Sequence, residues 1–342
     1  MTEVLEPRLS GACVTDVEVT PVGTGQMAEA LRLSLTYDRP VAAPAALVAK
    51  MHAGNGTSRA TGVALRVYEV EVRFYQELAA GLPMRTPACH FADVDTVRGA
   101  FVLLLEDMSP ACQGDQLAGC SLQEAQLALD ELALLHSSHW NDPGLAELEW
   151  LHRDPAGARD FLKAVLPGFW QGFVERYSER IGDEVRQIGD ALVANTDAVL
   201  APSSDPLTVV HGDYRLDNLL FGGPGAAAPI AVVDWQLVAH GSAMQDVAYF
   251  VGASFSPGDR RAVEDALVRR YYDRLLADGV AGYTWEDCWL AYRRASWAGL
   301  ITAIAAANLV ERTDRGDYMF LAMAHRHSAH VLDLEAPALL GG

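Results

Sequence analysis

Lysine, paired cysteines, basic charge and long apolar runs are all scarce in this chain, and each shortage removes a class of function. No window approaches 18 uninterrupted apolar residues, which excludes a transmembrane helix from the sequence reading. The opening Met1-Thr2-Glu3-Val4-Leu5-Glu6 is acidic and lacks the basic and apolar regions of a signal peptide, so none is expected. The five cysteines are odd in number and none forms a C-x-x-C pair, which argues against a disulfide framework or a zinc site. A reducing cytoplasm is the simplest setting. The 26 basic residues face 45 acidic ones, a net charge of −19. A surface this acidic repels nucleic acid and anionic membranes, so neither is expected as a partner. Any phosphate site must therefore be locally basic. No repeat is apparent, and low complexity is confined to 222–229. With 342 residues, half of them hydrophobic, the chain has room for two lobes with real cores.

What is present centres on His211-Gly212-Asp213-Tyr214-Arg215-Leu216-Asp217-Asn218. It lies between two short apolar runs, Leu207-Thr208-Val209-Val210 and Leu219-Leu220-Phe221. A third run, Ile230-Ala231-Val232-Val233, ends at Asp234. Acidic and amide side chains at the exits of β-like runs place metal ligands and a base on a rigid surface. Asp213 and Asn218 on one loop, with Asp234 from the next strand, fit phosphoryl transfer from a magnesium nucleotide. Asn218 and Asp234 are the hard oxygen donors that Mg²⁺ takes.

The two lysines are Lys50 and Lys163, in a chain otherwise rich in arginine. Lys50 ends the run Ala46-Leu47-Val48-Ala49, where a compact ammonium on a flexible stem suits point-charge contact with phosphates. Strands are expected at about 14–22, 30–38, 46–50, 91–94 and 99–105. Between the first two sits Gly23-Thr24-Gly25-Gln26-Met27, a turn whose Gly23 and Gly25 could lay backbone N–H groups on phosphates. Residues 52–61 read as a loop and 63–80 as a helix, with Glu71 the acid chosen as partner for Lys50. Glu106-Asp107-Met108-Ser109-Pro110 marks a shift to helical composition and a hinge at about 105–110, dividing an N-lobe (1–107) from a C-lobe (108–342).

Helices are expected at 121–140, opened by the Ser121/Glu124 capping-box spacing, and at 161–180, 181–200, 259–276, 285–309 and 317–334. Asp246, near a helix start, is a candidate to receive backbone N–H groups and fix the loop at 211–218. His136, His139, His325, His327 and His330 lack ligands in register and read as structural. Trp285, Trp289 and Tyr292 fall on one helix face and read as a core stripe. The segment after Asp234 is too short for a protein-kinase activation loop, which points to a small-molecule acceptor.

His211-Gly212-Asp213 with Asn218, and Asp234 closing its strand, resemble the aminoglycoside phosphotransferase/choline kinase superfamily, and Glu71-Val72-Arg73-Phe74-Tyr75, Leu104-Leu105-Glu106-Asp107-Met108 and His211 to Phe221 carry a closer likeness within it. The finer resemblance is to its ecdysteroid kinase-like (CHK-type) branch, from about Val22 to about Leu334. It implies an α+β, protein-kinase-like bilobal fold, with a small N-lobe of antiparallel sheet plus one helix and a mostly helical C-lobe. It implies ATP and Mg²⁺, Asp213 as base, Asn218 and Asp234 as metal ligands and Lys50 paired with Glu71. It also implies adenine contacts from the backbone around Glu106 and Met108. The acceptor suggested by the branch is a small-molecule hydroxyl, a bulky steroid-like or hydroxyacyl alcohol rather than an aminoglycoside or choline. Tyr249, Phe250, Trp297 and Tyr318 are candidates for its aromatic wall. Two departures are visible: Trp235-Gln236 follows Asp234 where protein kinases carry Phe-Gly, and the glycine turn lacks a full G-x-G-x-x-G. The competing readings are a catalytically silent nucleotide-binding scaffold and a metal hydrolase built on His211, Asp213 and Asp234. The latter leaves Lys50 and the hinge unexplained.

Overall fold

The structure is a computed structural model and describes residues 1–9, 11–23, 27–54, 56–152, 155–223 and 228–341. The chain divides into two compact units. One comprises Met1–Ala111 with Gly222–Leu237, the other Cys112–Phe221 with Val238–Gly342. Asp234 therefore belongs to the first unit, although it follows the 211–218 loop in sequence.

The first unit begins with helix α1 (Thr2–Leu9), followed by strands β1 (Val14–Val22), β2 (Ala28–Tyr37) and β3 (Ala46–His52). Helices α2 (Gly56–Ala64) and α3 (Val67–Glu77) come next, then β4 (Cys89–Asp95) and β5 (Ala100–Glu106). The five strands form one antiparallel sheet in the order β1-β2-β3-β5-β4. Side chains alternate between the faces of a strand. Leu33, Leu35, Leu47, Ala49 and Leu104 therefore share one face, which Leu5 and Leu9 of α1 cover. Burying one such leucine fully stabilises the unit by about 1.5–3 kcal/mol. Lys50, one step along from Ala49, emerges on the opposite face. There α3 packs, with Tyr68 stacked on Phe101 at 4.6 Å between ring centroids.

Two expectations are corrected here. The stretch read as a loop at 52–61 is largely the helix α2, and the helix read at 63–80 is α3 alone. The break falls at Arg66, whose backbone is left-handed (φ 56°) and whose guanidinium bonds Glu69 at 2.9 and 3.0 Å. Helix α1 also adds to the single helix expected in this unit.

The second unit is mostly helical. It contains α4 (Leu122–Ser138), α5 (Glu149–His152), α6 (Pro155–Tyr177), α7 (Asp183–Ala194) and α8 (Thr196–Val199). After the 211–218 loop come α9 (Ala243–Ala253), α10 (Pro257–Ala277), α11 (Trp285–Ala295), α12 (Trp297–Leu309) and α13 (Asp314–Asp333). The Ser121/Glu124 capping box is formed at the start of α4, a feature that stabilises a helix by about 1 kcal/mol. The helix expected over 285–309 breaks at Ser296, whose hydroxyl donates to the Arg293 carbonyl at 2.8 Å. A serine that bonds its own backbone competes with the helical ladder. Strand Leu207–Val210 pairs antiparallel with Ala239–Ser242. The pair brackets the 211–218 loop in sequence and ties its entry to the residues before α9. Among the described residues no helix is long and apolar enough to cross a membrane.

Candidate active site

The first unit holds a charge cluster around Lys50. Its Nζ donates to Glu71 Oε1 and to Asp234 Oδ1, each at 2.7 Å. Period-2 alternation aims Lys50 at α3, and Glu71 is on the buried side of that helix at 1% exposure. Burial opposes the charge on Lys50, but Asp234 and Glu71 outweigh it and hold its pKa above the ordinary lysine value. Burial also pushes the Glu71 carboxyl up, to about 7, against the pull of Lys50.

Asp234 itself is left-handed, with φ 67°, a conformation that costs a non-glycine residue about 1–3 kcal/mol. Trp235 explains how it is held. That side chain is fully buried and stacks on Phe74 at 4.0 Å with 9° between the ring planes. Phe74 lies three residues after Glu71 on α3, so one helix anchors the ring that follows Asp234 and supplies the acid that shares its lysine. The Trp235 departure from Phe-Gly thus keeps an aromatic anchor.

The second unit holds the 211–218 loop. Asp246 of α9 accepts the N–H of His211 at 2.6 Å and that of Gly212 at 2.9 Å, the backbone role expected of it. Gly212 has φ 80°, a turn that favours glycine. The Asp213 carboxylate accepts three side-chain hydrogen bonds. Tyr249 Oη donates to Oδ1 at 2.9 Å. Asn218 Nδ2 and Arg215 Nε donate to Oδ2 at 2.9 and 3.1 Å. Asn218 Nδ2 also reaches the Asp213 carbonyl at 2.8 Å, so its amide oxygen is the atom a cation would take.

Neighbouring Asp217 is an anchor that the sequence reading passed over. It accepts the Gln116 N–H at 3.0 Å, Arg315 at 3.0 and 3.1 Å, and Arg215. Burial raises its carboxyl pKa, but Arg315, Arg215 and the Gln116 N–H outweigh this and hold it below the ordinary value. Gln116 also accepts the Leu216 N–H at 2.9 Å through its side-chain oxygen. Asp217 and Arg215 were visible inside the motif; Gln116 and Arg315 had no local signal.

The other candidates fall as follows. Gly25 lies outside the described residues, while Gly23 closes β1 with φ 75°. Glu106 lines a pocket of about 500 Å³ on the first unit, with Ala46, Ala88, Asp107 and Ser109. Its carboxylate accepts Arg85 at 2.6 Å and the Ala88 N–H at 3.0 Å. Met108 follows in the loop after β5, and its carbonyl accepts the Ala111 N–H. The four aromatics do not form one wall. Tyr249 reaches Asp213; Phe250 and Trp297 are buried in the helical unit, at 0% and 2% exposure; Tyr318 is 60% exposed beneath Arg180. Trp297 packs in the α6–α7–α12–α13 core, where its bulk stabilises the helices. Trp285, Trp289 and Tyr292 stack in series, but only Tyr292 is buried and the two tryptophans are half-buried, so the stripe is core at one end alone.

Among the described residues no group of three or more His, Cys, Asp or Glu side chains could hold a metal ion. An all-protein metal cage, as the hydrolase reading needs, is absent there. Magnesium in phosphoryl transfer is instead held by one or two protein oxygens plus the substrate phosphates. The amide oxygen of Asn218 and the carboxylate of Asp234 fit that donor chemistry.

Comparison with known sequences decides the family. The sequence model of the ecdysteroid kinase-like family matches residues 23–278. The chain belongs to that family. It is 26% identical over 200 residues to acyl-CoA dehydrogenase family member 11 of Gallus gallus, an alignment covering 56% of this chain and 23% of the relative. It is 46% identical over 56 residues to acyl-CoA dehydrogenase family member 10 of Mus musculus, covering 16% of this chain and 5% of the relative. The chain thus spans less than a quarter of the length of these curated relatives.

Among solved structures it is similar to an ethanolamine kinase of Plasmodium vivax (11% identity, TM-score 0.55, 92% of this chain and 82% of that one). A choline kinase of Cryptosporidium parvum matches at 12% identity and TM-score 0.52, over 93% and 89% of the two chains. The GDP complex of an aminoglycoside 2'-phosphotransferase matches at 14% identity and TM-score 0.53, over 96% and 97%. The fold of this family member is accordingly the α+β, protein-kinase-like fold of small-molecule phosphotransferases.

Proposed function

We propose that this protein transfers the γ-phosphoryl group of ATP to a hydroxyl of a small molecule. The observation that carries the reading is Lys50 held at 2.7 Å from both Glu71 and Asp234. Lys50 and Asp234 neutralise each other, and each has a second partner waiting in a magnesium nucleotide. Lys50 would meet the α- and β-phosphates while Glu71 keeps its ammonium aimed, and Asp234 would be an oxygen donor to the metal.

In this reading Asp213 orients the acceptor hydroxyl and takes its proton. The acceptor oxygen forms a bond to the γ-phosphorus, the bond from that phosphorus to the β–γ bridging oxygen breaks, and ADP leaves with the electron pair. Bound Mg²⁺ supplies neutralisation of phosphate charge, with Asn218 and Asp234 as its protein ligands. The protein's share of the rate is positioning and preorganised charge. Adenine would be held by the backbone around Glu106 and Met108, in a nucleotide-binding unit that comprises Met1–Ala111 and Gly222–Leu237 rather than 1–107 alone. The turn after β1 would offer the backbone N–H of Gly23 to the phosphates; Gly25, the other glycine of that expectation, lies outside the described residues.

For the acceptor we favour a bulky alcohol, steroid-like or hydroxyacyl, over an aminoglycoside or choline. The support is the ecdysteroid kinase-like family and the similarity to segments of proteins named as acyl-CoA dehydrogenase family members. Of the aromatics expected to line the acceptor pocket, Tyr249 bonds Asp213 and Tyr318 is exposed, whereas Trp297 is buried in the helical core. The net charge of −19 fits a protein with no nucleic-acid or membrane partner, and the odd number of cysteines without a C-x-x-C pair fits a reducing cytoplasm.

The test is calorimetry of MgATP on wild type and Asp234→Ala. The variant is expected to bind MgATP about tenfold or more weakly, from loss of a charged contact. Unchanged affinity would remove Asp234 as a metal ligand.

A further inference from the structure

Helix α9 grips the 211–218 loop twice. Asp246 takes the backbone N–H groups of His211 and Gly212, and Tyr249, one turn later, donates its hydroxyl to Asp213 Oδ1 at 2.9 Å. The two oxygens of Asp213 are unequally occupied. Among the described residues Oδ2 accepts two side-chain donors, Arg215 and Asn218, whereas Oδ1 accepts Tyr249 alone. The lone pair with most room for a further donor is therefore on Oδ1, beside the phenol.

The phenol is itself fixed. Tyr249 is 5% exposed, and its ring lies parallel to His327 at 5.7 Å with 2° between planes. His327 is fully buried, and neither ring nitrogen has a hydrogen-bond partner among the described residues. Such a group costs free energy that an apolar ring of similar shape would not. Its place is reserved by two glycines. A Cβ on Gly299 would lie 2.0 Å from His327 Cε1, and one on Gly252 would lie 2.6 Å from His327 Nδ1. Burial, and then the Asp213 charge, raise the Tyr249 pKa well above the ordinary phenol value, so it stays a donor.

We infer that Tyr249 is a positioning residue: backed by His327, it sets the rotamer of Asp213 so that Oδ1 faces the acceptor hydroxyl. This assignment rests on the reading of Asp213 as the base. It revises the sequence expectation for Tyr249 from a substrate wall to a support of the base.

Two measurements on Tyr249→Phe, which keeps the ring and the His327 stack, test it in the full chain. In crystal structures of wild type and variant, the Asp213 carboxylate is expected to rotate or take two conformers, while Asp246 still holds His211 and Gly212. An Asp213 side chain unchanged in the variant overturns the assignment, whatever the activity. In steady-state assays with MgATP and 3-hydroxybutyryl-CoA, or water as the acceptor, kcat is expected to fall about tenfold or more, with KM for ATP within twofold. In an Asp213→Ala background the same substitution should add no further loss. A multiplicative loss in that background, or a change confined to KM for ATP, also overturns it. If Asp213 moves in the variant but wild type transfers no phosphoryl group, the phosphotransfer reading fails, and with it the acceptor-facing role, while the hold of Tyr249 on the Asp213 rotamer stands.

Discussion

In the first unit one cation, Lys50, stands between two carboxylates; in the second one carboxylate, Asp213, stands among three donors. The supports differ as much as the charges. Lys50 and Glu71 sit on regular elements, β3 and α3, and Asp234 follows the strand Ile230–Val232. Asp213 sits on a loop with little regular structure of its own, held by side chains from elsewhere: Asp246, Tyr249, Gln116 and, through Asp217, Arg315. A cluster on regular elements can rely on periodicity and a few buried contacts. A cluster on a loop needs a network, because the backbone there has no ladder to fix it.

That contrast can be broken from either side. The largest effect is expected from Trp235→Ala, which removes the ring that fixes the left-handed Asp234. A loss of about 3–5 kcal/mol in unfolding free energy is expected for truncating a buried tryptophan, read by denaturant titration. A change below 1 kcal/mol would mean the Phe74 stack is dispensable. Next, Lys50→Met should lower kcat/KM for ATP by about 10²–10³-fold, as removal of a preorganised charge does, read by ADP release. Arg315→Ala attacks the second cluster at a distance. With one donor to buried Asp217 gone, kcat is expected to fall about tenfold while the affinity for ATP, measured by calorimetry, holds. A fall in both would show that the loop network serves the nucleotide as well.

The smallest effect concerns pH. Burial would raise the Asp317 carboxyl, but hydrogen bonds from Tyr177, Arg176 and Arg312 outweigh it and depress the folded value below 3.8. A depressed carboxyl contributes stability that is fully present above its unfolded value and lost as pH falls through its folded one. Asp317→Asn should therefore lower stability at pH 7 and flatten its acid loss below about pH 4, seen in denaturant titrations across pH. An acid limb identical to that of wild type would show that the cluster is not a source of it.

The same contrast governs what could be read from the sequence. The strands of the sheet, the pairing of Lys50 with Glu71 and the backbone role of Asp246 follow from alternation, from a rare lysine and from a carboxylate at a helix start. Helix α2 was missed because glycine, serine and threonine outweigh its short apolar pattern locally, and packing in the unit decides it. Ser296 breaks the long helix through a bond that no periodicity encodes. Gln116 and Arg315 lie about 100 residues from Asp217 on either side, and nothing near them marks a site. The aromatics were legible as residue types but not as places. Trp297 serves the core, Tyr318 the surface, and Tyr249 the carboxylate it was expected to sit beside as a wall.

The central claim, that Asp213 is the base of a phosphoryl transfer to an alcohol, is tested most directly by ADP release. MgATP is supplied with a panel of sterols, 3-hydroxyacyl-CoA esters, aminoglycosides and choline, on wild type and Asp213→Ala. Turnover by wild type on at least one alcohol, lost by about 10²–10⁴-fold or more in the variant with ATP affinity retained, is the predicted result. Turnover that survives Asp213→Ala, or ATP binding without turnover on any acceptor, would contradict it.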